Sequence, residues 1–464
     1  MKVDQKRRWK MFVVAGATMA LVAGMVSTVP SAYAGGTIKN ADNPDQYISL
    51  GMGIRTSFTS GEDRSASGGQ WDNTFAVDNS RVYINGGIHK YVKFTFNTEC
   101  FNCSVNAGAG FNGNSNIGLI DAIGKFEITR TINFWVGRTL VPTERGELNG
   151  PFYHQVYDGF RTPFNQSDIS PGFGSSSAPF GGAGAFGRDQ GIVFFGKVDP
   201  AGTHLLYAFM VSTGLQSPGG PLNTTSVTIP TCAVPTDPTC AVSGLPVTVT
   251  AFSGGGPNQR STLKYSGRLQ WNLLADEMAN NPGYYTAGGY YGDYGDVLAL
   301  AVSGEYQNQG VGSFAHPSPY KTFIGDILYE KVLSDKGVFT ANAEYKRYWT
   351  QSLAAYGDPD CFCMFNGTSV TAYALYLFPQ EIGIGKFQPY GRYTYVNSVY
   401  ASHLDEFEAG VNYVISGFNA RMSAYWRNGN LASGGGPATT THFTGLSQTG
   451  QHRDSFVLAL QLQY

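Results

Sequence analysis

The feature that most restricts how this chain can fold is a two-residue alternation of apolar and polar side chains. In YISLGMGIRTSF, the residues Ile48, Leu50, Met52, Ile54 and Phe58 share one parity, and Ser49, Gly51, Gly53, Arg55 and Ser57 share the other. LKYSGRLQWNL repeats the pattern, with Leu263, Tyr265, Leu269, Trp271 and Leu273 opposite Lys264, Ser266, Arg268, Gln270 and Asn272. FNARMSAYWR does so again, with Phe418, Met422 and Trp426 opposite Asn419, Arg421, Ser423 and Arg427. A period of two belongs to strands that are wet on one face only. Beyond an N-terminal leader there is no run of about 18 apolar residues that could cross a bilayer as a helix. Strands of about ten residues can cross instead, if they close on themselves so that every backbone amide is paired inside hydrocarbon. A soluble sandwich also alternates, but its inner faces meet in one dry core that needs fewer strands. The expected fold is therefore all-β, a transmembrane antiparallel β-barrel.

The spacing predicts strands near 47–58, 80–86, 91–99, 117–126, 131–140, 190–199, 204–213, 262–273, 297–308, 321–332, 338–349, 371–380, 386–398, 404–415, 418–427 and 455–464. Sixteen is an even number, which returns both termini to one side. Connections after even-numbered strands are mostly tight turns, such as GGIHK, DPAG, SDKG and SG. Those after odd-numbered strands include the long stretches 59–79, 141–189, 214–261, 350–370 and 428–454. Short periplasmic turns and long outer loops are the expected pattern of such a barrel. One segment, 274–296, breaks it by being long where a turn is required. A hidden hairpin there would raise the count to 18 strands.

Lys6, Arg7, Arg8 and Lys10 precede the apolar run MFVVAGATMALVAGMV, and Ala32-Tyr33-Ala34 follows. This reads as a signal peptide over 1–34, cut before Gly35, leaving 35–464 as the barrel domain. The expected location is the outer membrane of a Gram-negative-type bacterium, after Sec-dependent export. The whole chain carries a formal charge of −2. The leader holds Lys2, Lys6, Arg7, Arg8 and Lys10 but only Asp4 among acids, so its removal makes the remainder more acidic. That balance excludes nucleic acid as a partner, which needs a basic footprint. Outer-membrane lipid is the partner expected for the apolar face. SFVLALQLQY places Phe456, Leu458, Leu460, Leu462 and Tyr464 on one parity, a strand whose apolar face meets lipid and whose edge pairs with the first strand.

FWVGRTLVPTE (134–144), GRDQGIVFFGKV (187–198) with HLLYAFMVSTG after it, VFTANAEYKRYW (338–349), FQPYGRYTYV (387–396) and FEAGVNYVISGFNARMSAYW (407–426) resemble successive blocks of the phosphate-selective porin O/P family. Arg188-Asp189-x-Gly191 and Gln388-Pro389-Tyr390-x-Arg392-Tyr393 carry most of the likeness. The resemblance implies a sixteen-stranded, usually trimeric channel for small hydrophilic solutes. It does not by itself imply phosphate.

In such a channel the loop after strand five, 141–189, folds into the lumen and forms the constriction. It offers Glu144, Arg145, Glu147, Asp158, Arg161, Arg188 and Asp189, and a loop of this length in a compact fold needs a functional reason. Opposed charges across a narrow passage set up a transverse field that screens solutes. Charges that merely solvate an outer loop are the plainer expectation for any one of these residues. Strand parity assigns Arg55, Lys93, Lys264, Arg268, Lys346, Arg392, Arg421 and Arg427 to the lumen. The same rule places Glu305, Asp326, Glu330, Glu344, Glu406 and Glu408 there, so the count favours neither ion sign. A phosphate path would need a ladder of bases.

The cysteines fall in local pairs, Cys100 with Cys103, Cys232 with Cys240, and Cys361 with Cys363. Outer loops in an oxidising compartment make disulfides the expectation, and the spacing leaves their connectivity open. A two-loop zinc site is the sharper alternative, and Ser104 after Cys103 excludes c-type haem attachment there. The histidines are scattered, without H-E-x-x-H. Gly182-Ala-Gly184-Ala-Phe-Gly187 matches G-x-G-x-x-G but opens no helix, so it reads as loop. No enzyme, cofactor or metal is expected. The principal expectation is passive diffusion of small hydrophilic or ionic solutes, anions such as phosphate included, through a homotrimer. The alternatives are a sleeve around a partner such as an outer-membrane cytochrome, and a barrel hydrolase.

Overall fold

The computed structural model describes residues 35–62, 71–101, 118–159, 187–214, 223–228, 246–251, 262–279, 281, 283–286, 290–356, 358, 365–399, 403–433 and 446–464. The leader, Arg161, Cys103, Cys232, Cys240, Cys361 and Cys363 lie outside the described residues. The backbone of Cys100 is described, and it pairs with Ser80.

The strands in chain order are β1 (Gly36–Lys39), β2 (Tyr47–Gly61), β3 (Asp72–His89), β4 (Val92–Phe101), β5 (Gly118–Glu127), β6 (Asn133–Leu140), β7 (Arg188–Val198) and β8 (His204–Ser212). They continue as β9 (Asn223–Thr228), β10 (Pro246–Ala251), β11 (Lys264–Asn272), β12 (Val297–Gly312), β13 (Pro317–Val332) and β14 (Val338–Trp349). The last are β15 (Gly367–Leu377), β16 (Lys386–Ser398), β17 (Leu404–Ser416), β18 (Ala420–Ser433) and β19 (Leu446–Gln463). Sixteen of them, β2–β8 and β11–β19, form one closed antiparallel ring, sealed where β19 pairs with β2 and where β8 pairs with β11. At the seam the Met52 amide donates to the Tyr464 carbonyl at 2.7 Å, and the Tyr464 amide donates back at 2.8 Å. β1 is an extra strand, paired antiparallel with β2 over Tyr47–Leu50. A separate hairpin, β9 with β10, lies within the expected loop 214–261.

All sixteen expected strands are present, but β3 begins eight residues and β19 nine residues before the expected starts. The ring closes at sixteen because β11 pairs directly with β12, Asn272 opposite Ala299, so 274–296 adds no strand. Alternation gives the wall its two faces. Along β12, Leu300, Val302 and Tyr306 point out and are exposed, whereas Ala301, Ser303, Glu305 and Gln307 are buried inside. The exposed side chains are the ones that a bilayer would cover.

The arc β5–β8 departs from the expected polar lumen. Its inward side chains include Ile123, Trp135, Val193, Phe195, Leu206, Ala208 and Met210, all buried. These strands are apolar on both faces, since Val136, Phe194 and Phe209 are exposed outside. Apolar atoms inside a barrel must be covered, and residues 274–296 cover them: Met278 and Tyr284 belong to this internal cluster, and Tyr285 packs against it. Gly283 sits on the Trp135 ring so closely that a Cβ there would lie 2.3 Å from it.

Candidate functional site

Two segments enter the lumen from opposite ends. Residues 141–159 come from the long-loop end and begin with a short helix, α1 (Arg145–Asn149). Residues 274–296 come from the short-turn end and rest on the apolar arc. Every side chain of α1 is buried within the barrel. The plainer expectation for Glu144, Arg145 and Glu147, solvated charges on an outer loop, is therefore overturned. Their burial is tolerable because each finds a partner.

Arg145 is the junction. Its guanidinium grips the Glu277 carboxylate at 2.6 and 2.8 Å and lies 3.5 Å from Asp326. Tyr290 accepts from Arg145 at 3.3 Å and from Asn149 at 3.1 Å, while the Thr286 hydroxyl donates to Asn149 at 2.8 Å. The Tyr284 hydroxyl donates to the Leu140 carbonyl. The two inward segments are thus bonded to each other as well as to the wall. Burial pushes the Tyr290 phenol up to about 12, so it stays protonated at any physiological pH.

The wall holds the loop through its charged residues. Arg268 pairs bidentately with Asp326 at 2.5 and 3.0 Å and donates to the Thr143 carbonyl at 2.7 Å. Lys346 pairs with Glu144, and its Nζ is 3.9 Å from Glu344. Glu147 accepts from the Thr143 hydroxyl at 3.0 Å. Arg188 and Asp189 belong to β7 rather than to the loop. They pair with Asp121 at 3.1 Å and, across to β11, with Lys264 at 3.4 Å. Lys264 also meets Glu305 at 2.8 Å. Lys93 lies near the short-turn end, paired with Glu127 at 2.6 Å.

The tip of the loop meets a cluster of arginines. Arg421 donates to the carbonyls of His154 and Gln155 at 2.7 and 2.8 Å. Arg55 donates to the Tyr157 carbonyl, and Arg392 to that of Asp158. Arg427 pairs with the Asp158 carboxylate at 2.8 Å. Arg392 is also paired with Glu408 at 2.6 Å and lies 3.9 Å from Glu406. Gln461 donates to the Phe152 carbonyl at 2.8 Å. The His154 Nε2 proton goes to the Gly146 carbonyl at 2.8 Å, which fixes the tautomer. Desolvation pushes the His154 imidazole down to about 3, so it is neutral.

The fourteen strand residues that parity assigns to the lumen lie on the inward side of their strands, twelve of them buried and Lys93 and Arg427 partly exposed. Arg81, paired with Glu99, and Lys125, over the Trp135 ring at 4.1 Å, join them although they were not singled out. Both obey the alternation of their strands and are legible by the same rule. Glu277, Tyr284 and Tyr290 carry no comparable signal, because their segment has no periodicity. Inward bases prevail on the arc from β16 to β3, where Arg55, Arg81, Arg392, Arg421 and Arg427 stand with Asp78, Glu406 and Glu408, and inward acids prevail on β12–β14, where Glu305, Asp326, Glu330 and Glu344 stand with Lys346. Most of these lumen side chains are nearly inaccessible, with Arg421 at 1% and Lys264 at 0% exposure. Among the described residues the lumen is filled by the chain itself.

No family model matches the chain. No curated protein matches it either. Solved structures that resemble it are outer-membrane barrels. Outer-membrane expressed OmpT of Vibrio cholerae is 9% identical, with a TM-score of 0.48 over 92% of this chain and 100% of that one. An anion-selective porin from Comamonas acidovorans is 10% identical, with a TM-score of 0.48 over 90% and 100%. Salmonella typhi OmpF in complex with Daunomycin is 9% identical, with a TM-score of 0.49 over 90% and 98%. Likeness at this level carries no argument about function, and the fold rests on the strand pairing above.

Proposed function

We propose that this chain is an outer-membrane channel for small hydrophilic solutes, shut in this conformation by residues 141–159. The observation that carries the reading is the kind of contact that holds those residues. From Thr143 to Asp158 they are tied to the wall largely through hydrogen bonds and ion pairs, to Arg268, Lys346, Asn412, Arg421, Gln461, Arg55, Arg392 and Arg427. Water and ions can replace such contacts at small net cost, whereas an apolar core cannot be exchanged in that way. Residues 274–296, which rest on Trp135 and its neighbours, form the fixed side of the passage. The sleeve alternative is disfavoured, because residues 141–159 and 274–296 enter the space that a second protein would have to fill.

The arc of Arg55, Arg81, Arg392, Arg421 and Arg427 supports anions over cations among the solutes. Assembly as a homotrimer belongs to this reading on the strength of the family resemblance, export by way of residues 1–34 on the leader's basic residues, apolar run and Ala32-Tyr33-Ala34, and disulfides among the six cysteines on their local pairing in an oxidising compartment; phosphate is one anion to be tested. The test is single-channel current of the purified protein in a planar bilayer under a salt gradient. Discrete conductance steps with a reversal potential of anion sign are expected, together with current block on adding phosphate if that finer assignment holds. Silence from protein shown to be folded by heat-modifiable gel mobility would overturn the reading.

A further inference from the structure

The loop tip does more than plug the barrel, because of what it places on the wall. Tyr157 lays its ring under the Arg55 guanidinium, 4.0 Å from centroid to Cζ, and 6.5 Å from the Tyr425 ring. With Val156 it belongs to a buried apolar patch formed by Tyr373, Leu375, Tyr390, Tyr425, Val457 and Ala459. This patch is an apolar island in a charged wall. The Tyr157 hydroxyl donates to the Asp78 carboxylate at 2.6 Å.

Asp78 is placed for this by a fault in the strand register. The β2–β3 pairing runs Arg55 with Asn79 and then Thr56 with Val77, so Asp78 is a bulged residue with no partner opposite it. Bulges re-aim side chains, and this one turns a carboxylate toward the ring site. One residue further along, the Asp158 carboxylate lies on Arg427, which also has Glu406 at 4.0 Å and Glu408 opposite it across the strand pair.

Without the loop, four guanidinium groups, Arg55, Arg392, Arg421 and Arg427, would face three carboxylates, Asp78, Glu406 and Glu408. Asp158 supplies the missing negative charge. Among the described residues Arg55 and Arg421 form no ion pair, and they donate hydrogen bonds to backbone carbonyls and to the side-chain amides of Asn79 and Gln461. The wall therefore offers an apolar slot for a flat ring, an acceptor at the end of the slot and one uncompensated positive charge beside it.

We infer that the Tyr157–Asp158 tip occupies a ligand site on the lumen wall, and that the solute which displaces it is a phenolic carboxylate, with its hydroxyl on Asp78, its ring beside Arg55 and Tyr425, and its carboxylate on Arg427. Binding at this site stands independently of conduction; the part it plays in transport rests on the channel reading above. A tethered occupant lowers the apparent affinity of a free ligand by the fraction of time the site is empty, so removing the tether raises it.

The test is calorimetric titration of detergent-purified protein with 4-hydroxyphenylpropanoate, with acetate and inorganic phosphate as comparisons. The doubly substituted Tyr157→Ala, Asp158→Ala protein is expected to bind 4-hydroxyphenylpropanoate at least about tenfold more tightly than the wild type. Adding Arg427→Gln to it abolishes the gain, and Asp78→Asn removes the preference over 3-phenylpropanoate, which lacks the hydroxyl. A tip that only braces the barrel would give no gain in affinity. Equal or absent binding in the two folded proteins overturns the inference, as does binding no tighter than that of acetate or phosphate. Should the double variant not fold, the wild type decides: saturable binding preferred over acetate sustains the site, and none overturns it. Conductance recorded on the same samples separates the two readings. Protein that conducts without binding refutes the site alone, and protein that binds without conducting refutes the channel alone.

Discussion

His154 is a neutral imidazole enclosed by cations, with Arg392, Arg55 and Arg421 all adding to the desolvation that holds it down to about 3. An exposed histidine titrates near 6.5, so protonation is easier in any state that releases the loop. The sign follows directly. Above about pH 6.5 both states are neutral and the group contributes nothing. Below it, released loop binds a proton that docked loop refuses, so release gains about tenfold per pH unit until pH approaches 3. Channel openings recorded at pH 7 and pH 5 are expected to be more frequent at the lower pH, and His154→Gln should remove that dependence. Asp326 is the second decisive residue, because it faces both Arg268 and Arg145 inside the barrel. Asp326→Ala leaves two buried guanidinium groups short of a partner, and the expected loss is about 3–5 kcal/mol. Denaturant midpoints in lipid vesicles would register it, and an unchanged midpoint would show that water reaches the pair. Parity alone made the inward direction of Asp326, Arg268 and Lys346 legible. Their partners in the loop are not legible, since Arg145 lies 181 residues from Asp326 and Glu144 lies 202 from Lys346, and neither loop residue is in a strand.

Among the elements, β11–β18 followed alternation closely and were the easiest to place. The arc β5–β8 is harder to read, because FWVG, IVFFG and LLYAFMV are apolar on both parities. Such runs fit a strand buried on both faces, and the partner that buries the inner face comes from a remote segment. The length of 274–296 was the visible sign that something was unusual there. A hairpin accounts for the length equally well, and only the internal apolar patch decides between them. Gly283 tests the packing of this element. Gly283→Val would push a side chain into the Trp135 ring, where even a Cβ comes within 2.3 Å. The expected result is an expanded passage with larger conductance steps and a barrel that still forms, as overpacking costs roughly 1–3 kcal/mol against a ladder of sixteen strands. Unchanged step size would mean that 274–296 does not border the path.

For the whole molecule, the ring of strands sets a lumen and the chain then fills it from both ends. The filling differs in balance: 274–296 rests on the apolar arc β5–β8, where Val141 and Leu148 join it, whereas the rest of 141–159 meets the wall through many polar contacts and one apolar patch around Val156 and Tyr157. On the proposed reading that balance makes 141–159 the part that opens. The most direct measurement compares gating of the wild type with that of a doubly substituted Arg421→Gln, Asn412→Ala protein, which loses the bonds to the His154 and Gln155 carbonyls. Hydrogen bonds from charged donors contribute about 1.5–3 kcal/mol each, so the open fraction should rise by about tenfold or more. The wild type is expected to be closed most of the time, and the variant to open more often to steps of similar size. A wild type that conducts continuously, or a variant whose gating is unchanged, would contradict it.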